Sequence, residues 1–145
     1  MILAVIGGVL GVLEGFTMRH IAGNDSTTAT TLAAVHRFND AFNAHDVDAV
    51  MAAMTADCVF ENTNPPPDGV RYEGQKAVRE YWERFFRNSP DARFEAEDIF
   101  AASDRCAVQW VYRKMKDGKP WHLRGVDIFR VRDGRVAEKL SYVKG

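Results

Sequence analysis

Beyond Pro90 the apolar residues stop recurring every third or fourth position and begin to alternate, and two Asp-Gly pairs, in KDGKP and RDGR, punctuate the alternation. Asp-Gly between alternating runs is a strong hairpin signal, because both residues tolerate the positive φ that a tight two-residue turn demands. The stretch predicts a meander of four antiparallel strands: Phe94 to Ala101, Cys106 to Met115, Trp121 to Val131 and Val136 to Lys144, with ASDR as the first turn. A sheet of this kind has to bury one face against something else.

The covering layer comes earlier in the chain. Leu32, Val35, Phe38 and Phe42 recur at helical spacing up to about Ala44, behind a polar lead-in, NDSTTATT, rich in N-capping side chains. HDVDAVMAAM predicts a second short helix, with Asp46 as its cap and Val47, Val50, Met51 and Met54 facing inward. A short strand, Cys58 to Asn62, follows, closed by a loop through Pro65, Pro66, Pro67 and Gly69. GQKAVREYWERFFRN is a third helix whose apolar face is Ala77, Val78, Tyr81, Trp82, Phe85 and Phe86, and Pro90 ends it. Three helices with one strand inserted, then four antiparallel strands, specify an α+β fold with helices against one face of a curved sheet.

A chain of 145 residues has room for one domain and one core. Its formal net charge of −1 offers no concentrated basic face, so no nucleic-acid partner is expected. Cys58 and Cys106 are far apart and lack the spacing of a zinc site, and none of the 4 histidines has a ligand partner nearby in sequence, so neither metal nor cofactor is expected. Free buried thiols suit a reducing cytoplasm. The N-terminal MILAVIGGVLGVLEGF is apolar from Ile2 to Leu13, too short to span a bilayer and without the leading Lys or Arg of an export signal. It reads first as an appendage, Met1 to Thr17 being an over-extended start; export and a helix packed on the domain are the alternatives. Residues 1–29 are thus an extension, residues 30–145 the domain, and no membrane partner is expected for it.

FNAHDVDAVMAAMTADCVFEN, YEGQKAVREYW and LRGVDIFRVRDGRVAEKLSYVKG together resemble the nuclear transport factor 2-like superfamily, especially its SnoaL-like branch. That resemblance implies a cone-shaped α+β fold and kinship with ketosteroid isomerases, polyketide cyclases and limonene epoxide hydrolases. The isomerases' aspartate base ends the first strand, where this chain has Asn62; their donor tyrosine on the first helix falls at Phe38; their second donor, a neutral aspartate, falls at Asp127. An amide has no useful basicity and a phenyl ring cannot donate, so steroid-type isomerisation is disfavoured. Asn62 also matches an assisting asparagine of the epoxide hydrolases, with Phe60 where their tyrosine stands. Their three charged positions fall near Gln109, Val111 and Ser141, which removes that machinery. The acid–base aspartate of the cyclases has one counterpart, Asp127.

Strand alternation refines this. A three-residue loop at Arg132, Asp133 and Gly134 sets Asp127 opposite Lys139 and Gly125 opposite Ser141; a two-residue Asp133-Gly134 turn sets Leu140 opposite Asp127 instead. In the first register Lys139 shares the concave face with Asp127 and favours its carboxylate form, suiting a base, although a self-satisfying buried pair is an equal reading. Trp110 falls across from Gly125, whose missing side chain leaves room for an indole. Phe38, Phe60, Tyr81, Trp82, Tyr112 and Trp121 complete an aromatic lining, most of which serves simply as core. Asn62, Asp127, Lys139, Tyr112 and Ser141 are the polar groups of the pocket. Asn62 is expected to orient a ligand or a water, or else to tie down the proline loop. The expected partner is a small apolar or carbonyl-containing molecule. Three functions stay open: an isomerase-, cyclase- or hydratase-type enzyme using Asp127 with Lys139, a non-catalytic binding pocket, and an interaction module with a filled cone. The convex face, with Val111, Val126, Ile128 and Tyr142, is too apolar for free exposure and predicts a homodimer.

Overall fold

A computed structural model of the chain describes residues 14–145, with side chains from residue 26 onward. The expectations for the apolar run at Met1 to Leu13 lie outside the described residues. Helix α1 spans Glu14–Asn43, α2 Val47–Ala52 and α3 Gly74–Asn88; the strands are β1 Met54–Glu61, β2 Arg71–Glu73, β3 Arg93–Ala102, β4 Arg105–Lys116, β5 Lys119–Arg132 and β6 Arg135–Val143. They form one sheet in the order β2-β1-β6-β5-β4-β3. Only β1 and β6 pair in parallel; the other neighbours are antiparallel. The three helices cover one face of this curved, open sheet, and the architecture is the α+β cone the sequence predicts. No described helix is long and apolar enough to cross a membrane.

The polar lead-in is corrected: Asn24 to Thr31 is not a loop before the helix but part of it. Its hydroxyls find partners that make helix the better state. Thr30 Oγ1 donates to the Ser26 carbonyl one turn back at 2.9 Å, as helical threonines commonly do. Thr31, 1 % exposed, donates to the Ser103 carbonyl at 2.7 Å, and the Ser103 amide donates to Thr28 Oγ1 at 3.0 Å. Two threonines one turn apart therefore clamp α1 to the β3–β4 turn. Below them Val35, Phe38 and Phe42 enter the core.

The second helix is capped as expected: Asp46 accepts from the Ala49 amide at 3.0 Å. It stops two residues sooner, so Met54 opens β1 rather than closing α2. The β2 strand, absent from the sequence reading, is three residues long and pairs with the end of β1, placing Tyr72 beside Phe60. Helix α3 matches its predicted limits, and Val78, Trp82 and Phe86 are buried. Gln75 anchors its start by donating to the Met51 and Thr55 carbonyls at 3.1 and 3.0 Å. Both Asp-Gly pairs are two-residue turns with positive φ at each residue: 51° and 73° at Asp117-Gly118, 52° and 70° at Asp133-Gly134.

Candidate functional site

The site's floor is built by the β5–β6 hairpin, and its register departs from both sequence-based expectations. The turn is Asp133-Gly134, with Arg132 paired to Arg135 and Val131 to Val136, but Arg130 then pairs with Glu138. Ala137 is the extra residue of a β-bulge. The bulge moves every later residue of β6 to the opposite face of the sheet. Asp127 therefore faces Ser141, neither Lys139 nor Leu140, and Lys139 faces Phe129. Because the two shifts cancel in parity, Lys139 still shares the helix-covered face with Asp127, one diagonal step away. Its Nζ lies 2.8 Å from Asp127 Oδ2 and donates to Ser141 Oγ at 2.8 Å.

Both side chains are buried, at 6% and 7% exposure. A charge in such a place is tolerable only when paired. Lys139 is fully engaged: besides Asp127 and Ser141 it lies over the rings of Phe60, Trp82 and Phe129 at 5.1, 5.8 and 5.8 Å. Asp127 is only half engaged. Its Oδ1 is buried and has no partner within the protein, and the same holds for the indole Nε1 of Trp110 and of Trp82. All three residues line a cavity of about 240 Å³ between α1, α3 and the sheet.

The aromatic walls follow from strand parity and helical spacing. Trp110 pairs with Gly125 as expected. A Cβ on Gly125 would sit 2.4 Å from the indole ring, so only glycine admits it. Phe94 meets Trp110 edge-on at 5.0 Å and stacks on Tyr112 at 4.6 Å. From the helices come Phe38, Tyr81 and Trp82, and from β1 Phe60, whose ring is 4.4 Å from that of Trp82. Burial pushes the Tyr81 hydroxyl up to about 12, a hydrogen bond from the Asn62 amide drawing it partly back. Tyr112 is raised likewise by burial.

Asn62 lines the cavity, yet its carbonyl oxygen is spent on the proline loop: Val70 donates to Oδ1 at 2.7 Å and Asn64 at 3.3 Å. Gly69 closes that loop at φ +71°, where a Cβ would meet the backbone carbonyl oxygen of Asn62 at 1.9 Å. What Asn62 has left for the cavity is its NH₂ edge, shared with Tyr81.

Of the residues anticipated for the site, Asp127, Lys139, Asn62, Phe60, Phe38, Trp110, Tyr112, Ser141 and Tyr81 all line the cavity. Trp121 does not. It stands at the outer end of β5, roughly 20 Å from Asp127 at ~3.4 Å per residue, edge-on to Tyr112 and capped by Lys114 and Lys116 at 5.5 and 5.6 Å. Phe42, Phe85, Phe94, Val108 and Leu123 also line the cavity, unanticipated as site residues. Val108 and Leu123 were findable, since they pair with Asp127 and Tyr112 and so share their face.

Among solved structures, the chain is similar to an NTF2-like protein of unknown function from Mesorhizobium loti at 41% identity, covering 81% of this chain and 93% of that one, with a TM-score of 0.70. A candidate polyketide cyclase from Sinorhizobium meliloti shares 23% identity over 75% of this chain and 93% of that chain, TM-score 0.63. A protein with a ketosteroid isomerase-like fold from Catenulispora acidiphila, in complex with trimethylamine, shares 15% identity over 75% of this chain and 83% of that one, TM-score 0.67. The last two likenesses establish the fold alone. No curated protein matches. Residues 35–139 match the SnoaL-like domain, most of the region that builds the cone, and the chain belongs to the SnoaL-like family.

Proposed function

We propose that the protein is an enzyme acting on a small carbonyl compound, with Asp127 removing a proton from the carbon beside the carbonyl. One observation carries this reading. Asp127 is a buried carboxylate with one oxygen held by Lys139 and the other unpartnered in an aromatic cavity. A carboxylate satisfied on both oxygens would serve structure; one oxygen free beside apolar walls is the arrangement of a general base. Lys139 has a definite task in it. It keeps a compensating positive charge against the carboxylate, and it stays there to face the negative charge once that charge has moved to the substrate. Ser141 fixes the lysine by accepting one of its protons. Asn62 has no basicity and holds the mouth of the cavity through Val70 and Tyr81. Isomerisation, aldol-type cyclisation and loss of water beside a carbonyl all begin with this proton transfer, so the reaction is assigned at that level.

The competing reading is a pocket that binds and does not turn over, with Asp127 as a polar anchor. The close Asp127–Lys139 contact, which already compensates both buried charges, is what favours it. A cone filled by its own side chains is hard to reconcile with about 240 Å³ of space. Hydrogen–deuterium exchange separates the two readings. The protein, in deuterated water with a panel of ketones, is expected to exchange α-hydrogens above the buffer rate, and Asp127→Asn is expected to lose that excess. The double variant Asp127→Asn, Lys139→Met, which leaves no buried charge unpaired, guards against loss through unfolding. Binding without exchange across the panel would favour the anchor.

A further inference from the structure

We propose that the Trp110 indole N–H holds the substrate's carbonyl oxygen, and that the cavity takes a neutral ketone of two-ring size; this rests on the reading of Asp127 as the proton acceptor. Trp110 is 4% exposed, and its Nε1 has no partner in the protein. Leaving a buried donor unpaired is costly, so a site that keeps one has a use for it. Its position fits that use. Val108 pairs with Asp127 and Trp110 with Gly125, so Trp110 and Asp127 are diagonal neighbours on the cavity face of adjacent strands, their backbones about 7–8 Å apart along that diagonal. Both unpartnered atoms belong to residues that line the same cavity, so one ligand can meet both, its carbonyl oxygen on the indole and its adjacent C–H on the carboxylate.

The alternatives are weaker donors. Phe38, on the first helix, has nothing to donate. The Tyr81 hydroxyl accepts from the Asn62 amide and keeps its own proton, but its ring packs on Phe60 of β1 and Tyr72 of β2, two and three strands away from Asp127 on β5. Trp82 also has a free Nε1, but its ring packs against Lys139, which holds the other carboxylate oxygen. Charge and volume set the substrate class. Lys139 is held by Asp127 and Ser141, and His36 and Asp40, which also line the cavity, are exposed, so an anionic ligand would meet Asp127 with no free lysine or arginine inside. A cavity of about 150 Å³ holds a benzene ring; about 240 Å³ admits a second fused ring and falls short of four.

In the step itself the α-carbon's proton passes to Asp127 Oδ1. The C–H electron pair becomes the enolate double bond and the carbonyl π pair moves onto oxygen, where the Trp110 N–H bond strengthens as charge develops. Return of the proton to carbon restores the carboxylate.

β-Tetralone, a bicyclic ketone with an enolisable carbon, and its hydrocarbon analogue tetralin are the probes. The intact protein is expected to bind the ketone about tenfold more tightly than tetralin. Trp110→Phe, which keeps an aromatic ring and removes the N–H, is expected to abolish that preference, bringing the ratio of ketone to tetralin affinity down to about one. In the unmutated protein, isotopically labelled, the Trp110 indole N–H resonance is expected to move on adding β-tetralone and to stay with tetralin, a readout that survives misfolding of the variant. Retained preference in Trp110→Phe, transfer of the effect to Trp82→Phe, or no preference in the unmutated protein would each overturn the proposal. Preference without deuterium exchange would leave the indole assignment standing and sink the base.

Discussion

The Trp110 indole occupies the space a side chain at Gly125 would need: a Cβ there would lie 2.4 and 2.5 Å from two ring carbons and 2.2 Å from the Tyr142 carbonyl oxygen. The contact is between two strands whose register pairs these residues directly. Gly125 is thus required by packing, since the carbonyl side of the clash is backbone and has no rotamer to escape into. Gly125→Ala is expected to destabilise the fold by about 1–3 kcal/mol and to displace the indole from the cavity. A shifted urea midpoint with quenched or red-shifted Trp fluorescence would register both effects. An unchanged midpoint would mean that the strand relaxes freely at this point.

The Asp127–Lys139 pair makes a sharper demand, because both charges are out of water. Lys139→Met leaves a buried carboxylate alone and is expected to cost about 3–5 kcal/mol. Adding Asp127→Leu to that variant is expected to restore most of the loss, since an apolar replacement of the whole pair has no charge to desolvate. Urea unfolding of the two variants supplies the comparison. If the single variant loses less than about 1 kcal/mol, water reaches the pair and the burial argument fails.

The helices and the meander were legible because their signals are chemical. The stripe at Val35, Phe38 and Phe42 can face only one way, and Asp133-Gly134 supplies the backbone freedom its turn uses. The bulge at Ala137 was not legible, as alanine carries no turn or bulge chemistry, and the register depends on it. The fact that Lys139 and Asp127 share a face was anticipated from a register the hairpin does not adopt. NDSTTATT was misjudged for a related reason. Threonine hydroxyls near a helix start suggest caps, whereas Thr28 and Thr31 bond a turn more than seventy residues away, which no local pattern encodes. Asn62 carried two readings in the sequence. The structure gives its oxygen to the proline loop and leaves its amide hydrogens at the cavity.

That division predicts different outcomes at Asn62. Asn62→Ala removes the acceptor of the Val70 amide and is expected to cost about 1–2 kcal/mol. Asn62→Asp keeps that acceptor, loses the donor to Tyr81, and is expected to cost less. Thermal unfolding of both variants side by side checks the order. Equal losses would assign the energy to the Tyr81 contact instead of the loop.

Alkaline pH probes two buried groups of the core, one on β4 and one on α3. Burial pushes the Cys106 thiol up to about 11, from an ordinary 9.0, and Tyr81 up to about 12, from 10.0. Each group is neutral when buried, and folding disfavours its anion. The contribution is intact below the unfolded values and is lost as pH rises through the folded ones. Stability is therefore expected to hold to about pH 9 and to fall between about pH 9 and 12. Cys106→Ala is expected to lessen the fall in the lower part of that window. Urea midpoints measured across it, with and without the substitution, test this; identical slopes would show that the thiol is not the titrating group.

The face of the sheet away from the helices leads to the last prediction. Register places Phe100, Ala107, Ile128 and Leu140 in one row across four strands, with Val126 and Tyr142 beside them in the next. Phe100 is 64% and Tyr142 50% exposed, while Val111 on the same face is already buried between its neighbours Glu95 and Arg124. Exposed Phe100 and Tyr142, with the half-buried Val126, Ile128 and Leu140 beside them, are the start of an interface core. A second copy of the chain is the simplest cover, since a two-fold axis through the row sets each apolar side chain against another. The protein is expected to be a homodimer at micromolar concentration, and Ile128→Glu, which sets a charge in the middle of the row, is expected to yield monomers with the fold intact. Light scattering after size exclusion gives the mass of each. A monomeric unmutated protein would leave this face without a partner and end the prediction.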